Sequence, residues 1–287
     1  MSSRNFEHLC KIVINKFVMK IKRMSTEQSI DNIERDFLSL KISINNIDTF
    51  GCRKAILNAL KKNITFFSGT LLDVGGGYMP YKSLLLQPPS QVEKYIGLDL
   101  HDNIYAKPDI TWDGKQIPLP ESSIDCAIAT EVFEHCPEPE IVMKEIERVL
   151  KPGGILFFTV PFLWPLHTVP YDEYRYTPFA LERHLTNAGF DTIQLQALGG
   201  WDASLAQMLG LWARRSFSFS KTDNILQKIL KKTFQLLFSV ILLPIVWVLY
   251  KLDTLPKEFY GDSMITGISG TAKKLSATNL LVSKGEN

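Results

Sequence analysis

Hydrophobic positions change period several times along the chain. In "CKIVINKFVMKIKRM" apolar residues fall at Cys10, Val13, Ile14, Phe17, Val18 and Ile21, which is helical spacing. Lys16, Lys20 and Arg23 occupy the other side, so a basic amphipathic helix is expected there. Such a helix lies on an anionic membrane or packs on its own domain, and packing is the commoner outcome. A second helix is expected from Phe50 to Lys62. Apolar strands then alternate with helical segments: "GTLLDVG", "KYIGLDL", "IDCAIAT", a helix from Pro139 to Leu150, and "GILFFTV". "KPGG" at Lys151–Gly154 offers glycine where that helix needs a left-handed cap. "FALERHLTNAGF" follows as a helix that stops at Gly189, and "DTIQLQAL" as a strand. After Trp201 the alternation breaks. "ASLAQMLGLWARR" reads as a short helix, and Phe234 to Tyr250 is an uncharged run of 17 residues. "SMITGISGTAKK" then reads as one more strand.

Apolar strands separated by helices argue for an α/β fold with a parallel sheet covered on both faces. The expected architecture is a Rossmann-like, doubly wound, mostly parallel sheet of about seven strands. An apolar helical segment interrupts it before the last strand. The expected organisation is an N-terminal helical extension over 1–46, a core over 47–200, a helical insertion over 201–261, and a last strand with its tail over 262–287. The 32 basic and 30 acidic residues nearly cancel, so nothing points to a nucleic-acid partner. Cys10, Cys52, Cys126 and Cys136 show no paired metal-ligand spacing and read as reduced thiols. With no signal-peptide pattern at the N-terminus, a cytoplasmic location is expected, including the cytoplasmic face of a membrane.

The apolar run constrains topology. Seventeen helical residues span about 25 Å, slightly short of a bilayer's hydrocarbon core of about 30 Å. If the strands on either side of 201–261 share one sheet, both ends of that segment lie on the same side of any membrane. One pass cannot satisfy this. An in-plane or re-entrant helix fits better, kinked at Pro244, with Lys228, Lys231, Lys232 and Lys251 reaching head groups. A lid over the acceptor site and a dimer contact are the alternatives.

"LLDVGGGYMP", Leu71–Pro80, is a strand running into a tight turn. Gly75 and Gly77 let the backbone approach a ligand without a Cβ in the way. Asp99, at the end of the next strand, suits ribose hydroxyls. A phosphate loop of the Gly-Lys-Ser/Thr type is absent. Met79 and Pro80 stand where a dinucleotide turn wants a third glycine before its helix. S-adenosylmethionine carries no phosphate, and Asp73 suits its methionine amino group or orders the turn's amides.

Together with "WDGKQIPLP", "EVFEH", "RVLKPGG" and "VPFLWPLH", these features resemble the class I S-adenosylmethionine-dependent methyltransferases of the type 11-like branch. The resemblance covers roughly 50–197. It implies that Gly75 and Gly77 contact the methionine part and that Asp99, with Leu100 beside it, holds the ribose. It also implies that Asp113 and Gly114 frame the adenine, and that Thr130 and Glu131 line the cofactor's other side. Met79 departs from the small residue common in relatives. In the family the acceptor lies over the carboxyl ends of the fourth and fifth strands, here "FLWPLHTVPYDEYRYTP". His167 is the candidate base, Asp172 its partner or an independent base, and Arg175 a contact for an acidic acceptor group. Tyr171, Tyr174 and Tyr176 offer stacking surfaces. The plainer reading of "YRYTP" is an anchor for the next helix, with Thr177 as its cap. The expected reaction is O-methylation of a sugar or glycan-type acceptor, membrane- or lipid-linked. A lipophilic quinone-like acceptor and a non-catalytic binding protein are the alternatives. No metal is expected, although Glu131, Glu134, His135 and His167 make a legitimate divalent-ion set.

Overall fold

The computed structural model describes residues 31–101, 105–215, 224–259 and 261–276. The amphipathic helix expected near residues 10–23 lies outside them. A seven-stranded mixed sheet forms the centre, in the order β3-β2-β1-β4-β5-β7-β6. The strands are β1 (Ser68–Val74), β2 (Gln91–Leu100), β3 (Ile110–Trp112), β4 (Ile124–Thr130), β5 (Leu150–Pro161), β6 (Phe190–Ala197) and β7 (Gly267–Lys274). The helices are α1 (Phe50–Asn63), α2 (Lys82–Leu85), α3 (Pro139–Val149), α4 (Pro178–Asn187), α5 (Trp201–Arg215) and α6 (Ile225–Leu252). β7 pairs antiparallel with both β5 and β6, and β1 to β5 pair in parallel. The expected Rossmann-like, doubly wound α/β architecture is therefore the observed one. β3 was not anticipated, because three residues carry too little periodicity to register.

The two faces of the sheet build two cores. Successive strand residues point to opposite sides, so Leu72 and Val74 pack with Val142, Met143 and Ile146 of α3. Leu71 packs on the other face with Ile56, Leu57 and Leu60 of α1. Thr177 caps α4 by accepting from Ala180 N, ahead of Pro178 in the first turn. The anchor reading of that segment is the observed one. "KPGG" does not cap α3. The helix ends at Val149, and Leu150 is already extended and paired with Ile124. Residues 151–154 form an excursion within β5, where Gly153 takes φ +80°. The pairing with β4 captures the chain before a left-handed cap can form.

β6 runs parallel to β5, so Ala197 and Gly267 lie at the same end of the sheet as Val74 and Thr130. Between them α5 and α6 form an antiparallel hairpin. The Asp253 carboxylate, just beyond α6, accepts from Gly200 N and Ala203 N at the start of α5. That places an anion on a helix N-terminus. Gln235 Nε2 donates to Arg214 O at the far end of α5. α6 extends nine residues before the uncharged run, because Asn224 and Gln227 form a reciprocal capping box. It is 28 residues long, about 42 Å. Ile225 to Phe234 thus overhang the end of α5.

Close approach at Gly210 ties the hairpin to the core, since a Cβ there meets Ile47 O at 2.2 Å. Gly210→Val is expected to destabilise the protein by about 1–3 kcal/mol through overpacking. Urea unfolding of the full chain measures this. An unchanged midpoint would mean the hairpin does not pack on residues 47–48.

Candidate functional site

Four parallel strand ends line up along one edge and deliver the residues singled out from the sequence. In spatial order these are Asp113 after β3, Asp99 and Leu100 at the end of β2, the glycine turn after β1, and Thr130 and Glu131 at the end of β4. The chain reverses its winding direction between β1 and β4, the position where open α/β sheets leave a crevice for ligands.

The turn is held by its neighbours. Gly75 N and Gly76 N donate to Leu98 O, and Gly77 N donates to Asp99 Oδ2 at 2.8 Å. Asp99 Oδ1 accepts from Leu100 N. Asp99 therefore shapes the turn and presents its remaining lone pairs at the strand end, where ribose hydroxyls are expected. Gly75 and Gly77 have φ of +65° and +53°. A Cβ on Gly75 would stand 2.7 Å from Val132 Cγ2. Asp113 Oδ1 accepts from Lys115 N and Gln116 N, which folds the chain around Gly114.

Asp73 does not order the turn's amides as one of its two expected roles required. It shares the face of Leu71, is 2% exposed, and accepts from the Tyr95 hydroxyl beneath the turn. It bonds none of the turn's amides, which belong to Leu98 and Asp99. Burial pushes its carboxyl up to about 7, against the Tyr95 hydrogen bond, which lowers it.

The acceptor side is a loop, 162–177, sewn onto the "EVFEH" turn. Glu173 N and Tyr174 N donate to Glu134 O. His135 Nδ1 lies 2.7 Å from Tyr171 O. The Tyr174 hydroxyl donates to Pro137 O, and the Tyr176 hydroxyl to Phe133 O. Inside the loop, Arg175 grips Asp172 in bidentate fashion at 2.7 and 2.8 Å and also donates to the carbonyls of Trp164, Pro165 and Tyr174. Asp172 further accepts from His167 N. These contacts revise two expected roles. Arg175 is a clasp for the loop, with its guanidinium spent on protein groups. Asp172 is no independent base, because the guanidinium beside it holds its carboxyl well below the usual carboxylate range. Tyr176 is buried and stacked on Tyr174 at 5.2 Å, which removes Tyr176 as a platform; Tyr174 is half-buried and lines the cleft beside the loop, and Tyr171 is exposed.

His167 Nδ1 lies 3.2 Å from Asp172 Oδ2, and burial lowers the imidazole's pKa, with Asp172 opposing. A neutral imidazole here can take a proton or ligate a metal. Glu131 stands at φ +56°, its Oε1 accepting from Thr159 Oγ1, and burial raises its carboxyl to about 7. Glu134 is fully buried, and desolvation drives its carboxyl well above the ordinary range. Of the divalent-ion set considered from sequence, Glu134, His135 and His167 come together, while Glu131 turns to Thr159. Sequence reasoning missed the cleft of about 440 Å³ beside this loop. Trp164, Leu166, Met208 and Leu211 help to line it, so α5 forms one of its walls.

Residues 72–158 match the family model described as a methyltransferase domain. Over 228 residues the chain is 24% identical to a demethylmenaquinone methyltransferase of Oceanobacillus iheyensis, covering 64% of this chain and 96% of that protein. It is 31% identical over 100 residues to a thiol S-methyltransferase of Rattus norvegicus, covering 31% of this chain and 41% of that one. Among solved structures, a methyltransferase of Thermotoga maritima aligns with a TM-score of 0.45 at 15% identity, over 77% of this chain and 88% of that chain.

Two outcomes are expected. Asp99→Ala should weaken S-adenosylmethionine binding at least tenfold in calorimetry; unchanged affinity would remove Asp99 from the site. Asp73 has a folded-state pKa raised above its unfolded value of 3.8. The native state thus holds the extra proton, and this group's stabilisation is lost as pH rises from about 4 to 7. Asp73→Asn should therefore gain stability relative to wild type over that range, by a few kcal/mol at about 1.4 kcal/mol per pKa unit. Denaturant melts at pH 5 and 8 measure the difference.

Proposed function

We propose that this protein, an S-adenosylmethionine-dependent methyltransferase of class I, methylates an oxygen of a lipophilic acceptor taken up at a membrane surface. The methyltransferase activity rests on the domain match and the cofactor edge described above; the acceptor and the surface are the proposal. The observation that carries it is the α5–α6 hairpin. It emerges at the carboxyl end of the sheet, and α5 supplies Met208 and Leu211 to the acceptor cleft. Its outer face is apolar and exposed, including Trp201, Leu205, Trp212, Leu237, Val240, Ile241 and Trp247. In the most apolar 18-residue window of α6 only 17% of residues are buried, at a mean hydropathy of 2.1. Water-facing monomers rarely expose contiguous apolar patches above a few hundred Å². Lys228, Lys231, Lys232 and Lys251 border this surface, which suits an anionic leaflet such as the cytoplasmic one.

The adjacent, antiparallel strands β6 and β7 put both ends of the hairpin on the same side. That favours a helix pair lying in or dipping into one leaflet over a single crossing. The relative named for demethylmenaquinone lends support to a lipophilic acceptor.

In the reaction an acceptor oxygen attacks the methyl carbon in line with the carbon–sulfur bond. That bond's electron pair returns to sulfur and leaves a neutral thioether. The sulfonium already activates the carbon, so the protein chiefly positions the two partners.

Replacing Leu237, Ile241 and Trp247 together with serine should abolish flotation with anionic vesicles. S-adenosylmethionine affinity should stay within about twofold, because none of these side chains belongs to the ends of β1 to β4 that carry the cofactor residues. If the wild-type full chain stays off both anionic and neutral vesicles, the surface proposal fails.

A further inference from the structure

Glu134 is fully buried, yet neither carboxylate oxygen has a hydrogen-bond partner among the described residues. An unsatisfied buried polar group costs about 1–3 kcal/mol or more. Its surroundings supply ligand atoms instead of donors. Ligand atoms of Glu134, His135 and His167 all lie within 4.8 Å of one another. His135 Nε2 is 3.6 Å from Glu134 Oε1, and the two imidazoles meet edge to face with centroids 4.7 Å apart.

The groups behind these side chains also favour ligation. A carbonyl can only accept, so the 2.7 Å contact with Tyr171 O fixes the proton of His135 on Nδ1. In the neutral ring Nε2 then carries the lone pair that faces Glu134. Asp172, clasped by Arg175, lies 3.2 Å from His167 Nδ1 without hydrogen-bond geometry, so a small ring rotation would engage it. Carbonyl and carboxylate partners of this kind orient metal-binding imidazoles.

We propose that Glu134, His135 and His167 hold one divalent first-row transition ion, which takes the acceptor oxygen as a further ligand. Two imidazoles with one carboxylate suit manganese, iron, cobalt or zinc better than magnesium or calcium. Three protein ligands leave coordination positions open for water and substrate. An ion about 2.1 Å from each ligand holds them roughly 3.4 Å apart. The 3.6 Å pair already fits, and from within 4.8 Å His167 has at most about 1.4 Å to close. Glu131, bonded to Thr159, is not a ligand. Glu134 and His135 closely follow Val132, which faces the glycine turn at Gly75, and His167 sits in the loop whose residues 162–166 and 172–175 line the cleft. The cluster is thus tied to both the cofactor turn and the acceptor loop.

The ion's task rests on the acceptor reading above; its binding does not. Bound to the ion, an acceptor hydroxyl loses its proton to water. The resulting oxygen anion forms the new bond to the methyl carbon, and the carbon–sulfur pair returns to sulfur.

The test uses the full-length protein, stripped with a chelator and titrated with Co2+ in the absence of cofactor and acceptor. Calorimetry and the visible ligand-field bands should report one saturable equivalent. Glu134→Gln, His135→Ala and His167→Ala should each weaken it at least tenfold, and Glu131→Gln by less than about threefold. Glu134→Gln keeps the side chain's shape and removes the buried acid, so it should fold. Its melting midpoint should not respond to Mn2+, whereas the wild-type midpoint should rise. No saturable uptake by wild type, or equal uptake by Glu134→Gln and His167→Ala, would overturn the site and leave Glu134 a protonated packing residue. S-adenosylmethionine calorimetry on the same metal-free sample tests the methyltransferase reading separately.

Discussion

Everything at the working edge depends on one contact, between Gly75 and Val132. It brings the turn after β1 against the turn after β4, with no room for a Cβ between them. The sheet reverses its winding there, so this contact sets how closely the cofactor's cradle approaches the "EVFEH" segment. Leu98 and Asp99 hold one side of the junction through the amides of Gly75, Gly76 and Gly77. Thr159 holds the other, binding both the backbone and the side chain of Glu131. Each partner comes from a neighbouring strand, so the geometry of the site is inherited from the sheet.

The acceptor loop is built on the opposite principle. It has no regular structure, and its order comes from polar groups that bond each other. Arg175 and Asp172 form the centre, and backbone groups of Glu134, Phe133 and Pro137 tie the loop to the turn below. A loop closed by bidentate ion pairing in a poorly solvated place is specific in shape. The side chains that look most reactive in the sequence are largely consumed in making it. Among the described buried polar groups of the loop and the turn below it, the Glu134 carboxylate and His167 Nδ1 are left without a hydrogen-bond partner.

The hairpin of α5 and α6 joins these parts to the exterior. It leaves and re-enters at the same sheet end as the site, so its apolar surface and the acceptor cleft share one wall. Asp253 closes its base, and Gly210 presses it against residues 47–48. An apolar surface of this kind would be a liability anywhere else on the molecule. Here it stands beside the cleft that α5 helps to line.

The strands, the glycine turn and the acidic strand ends were legible in the sequence. Each is a local signal: apolar runs, glycines that permit positive φ, and a charged residue where a strand stops. The extended start of α6 is a local signal too, as the Asn224–Gln227 box, but its lysine-rich first turns lack the uncharged character of the run that follows. The failure of "KPGG" as a cap was not legible, because strand pairing with Ile124 decides it. The same holds for Asp73, whose partner Tyr95 belongs to another strand. The sequence by itself determined the fold and which chemistries reach the carboxyl edge, because periodicity and turn chemistry act within a few residues. Only the tertiary structure decided which of those groups are already satisfied and which are left waiting. Hydrogen-bond satisfaction is set by partners distant in the chain, such as Thr159 for Glu131 and Tyr171 for His135.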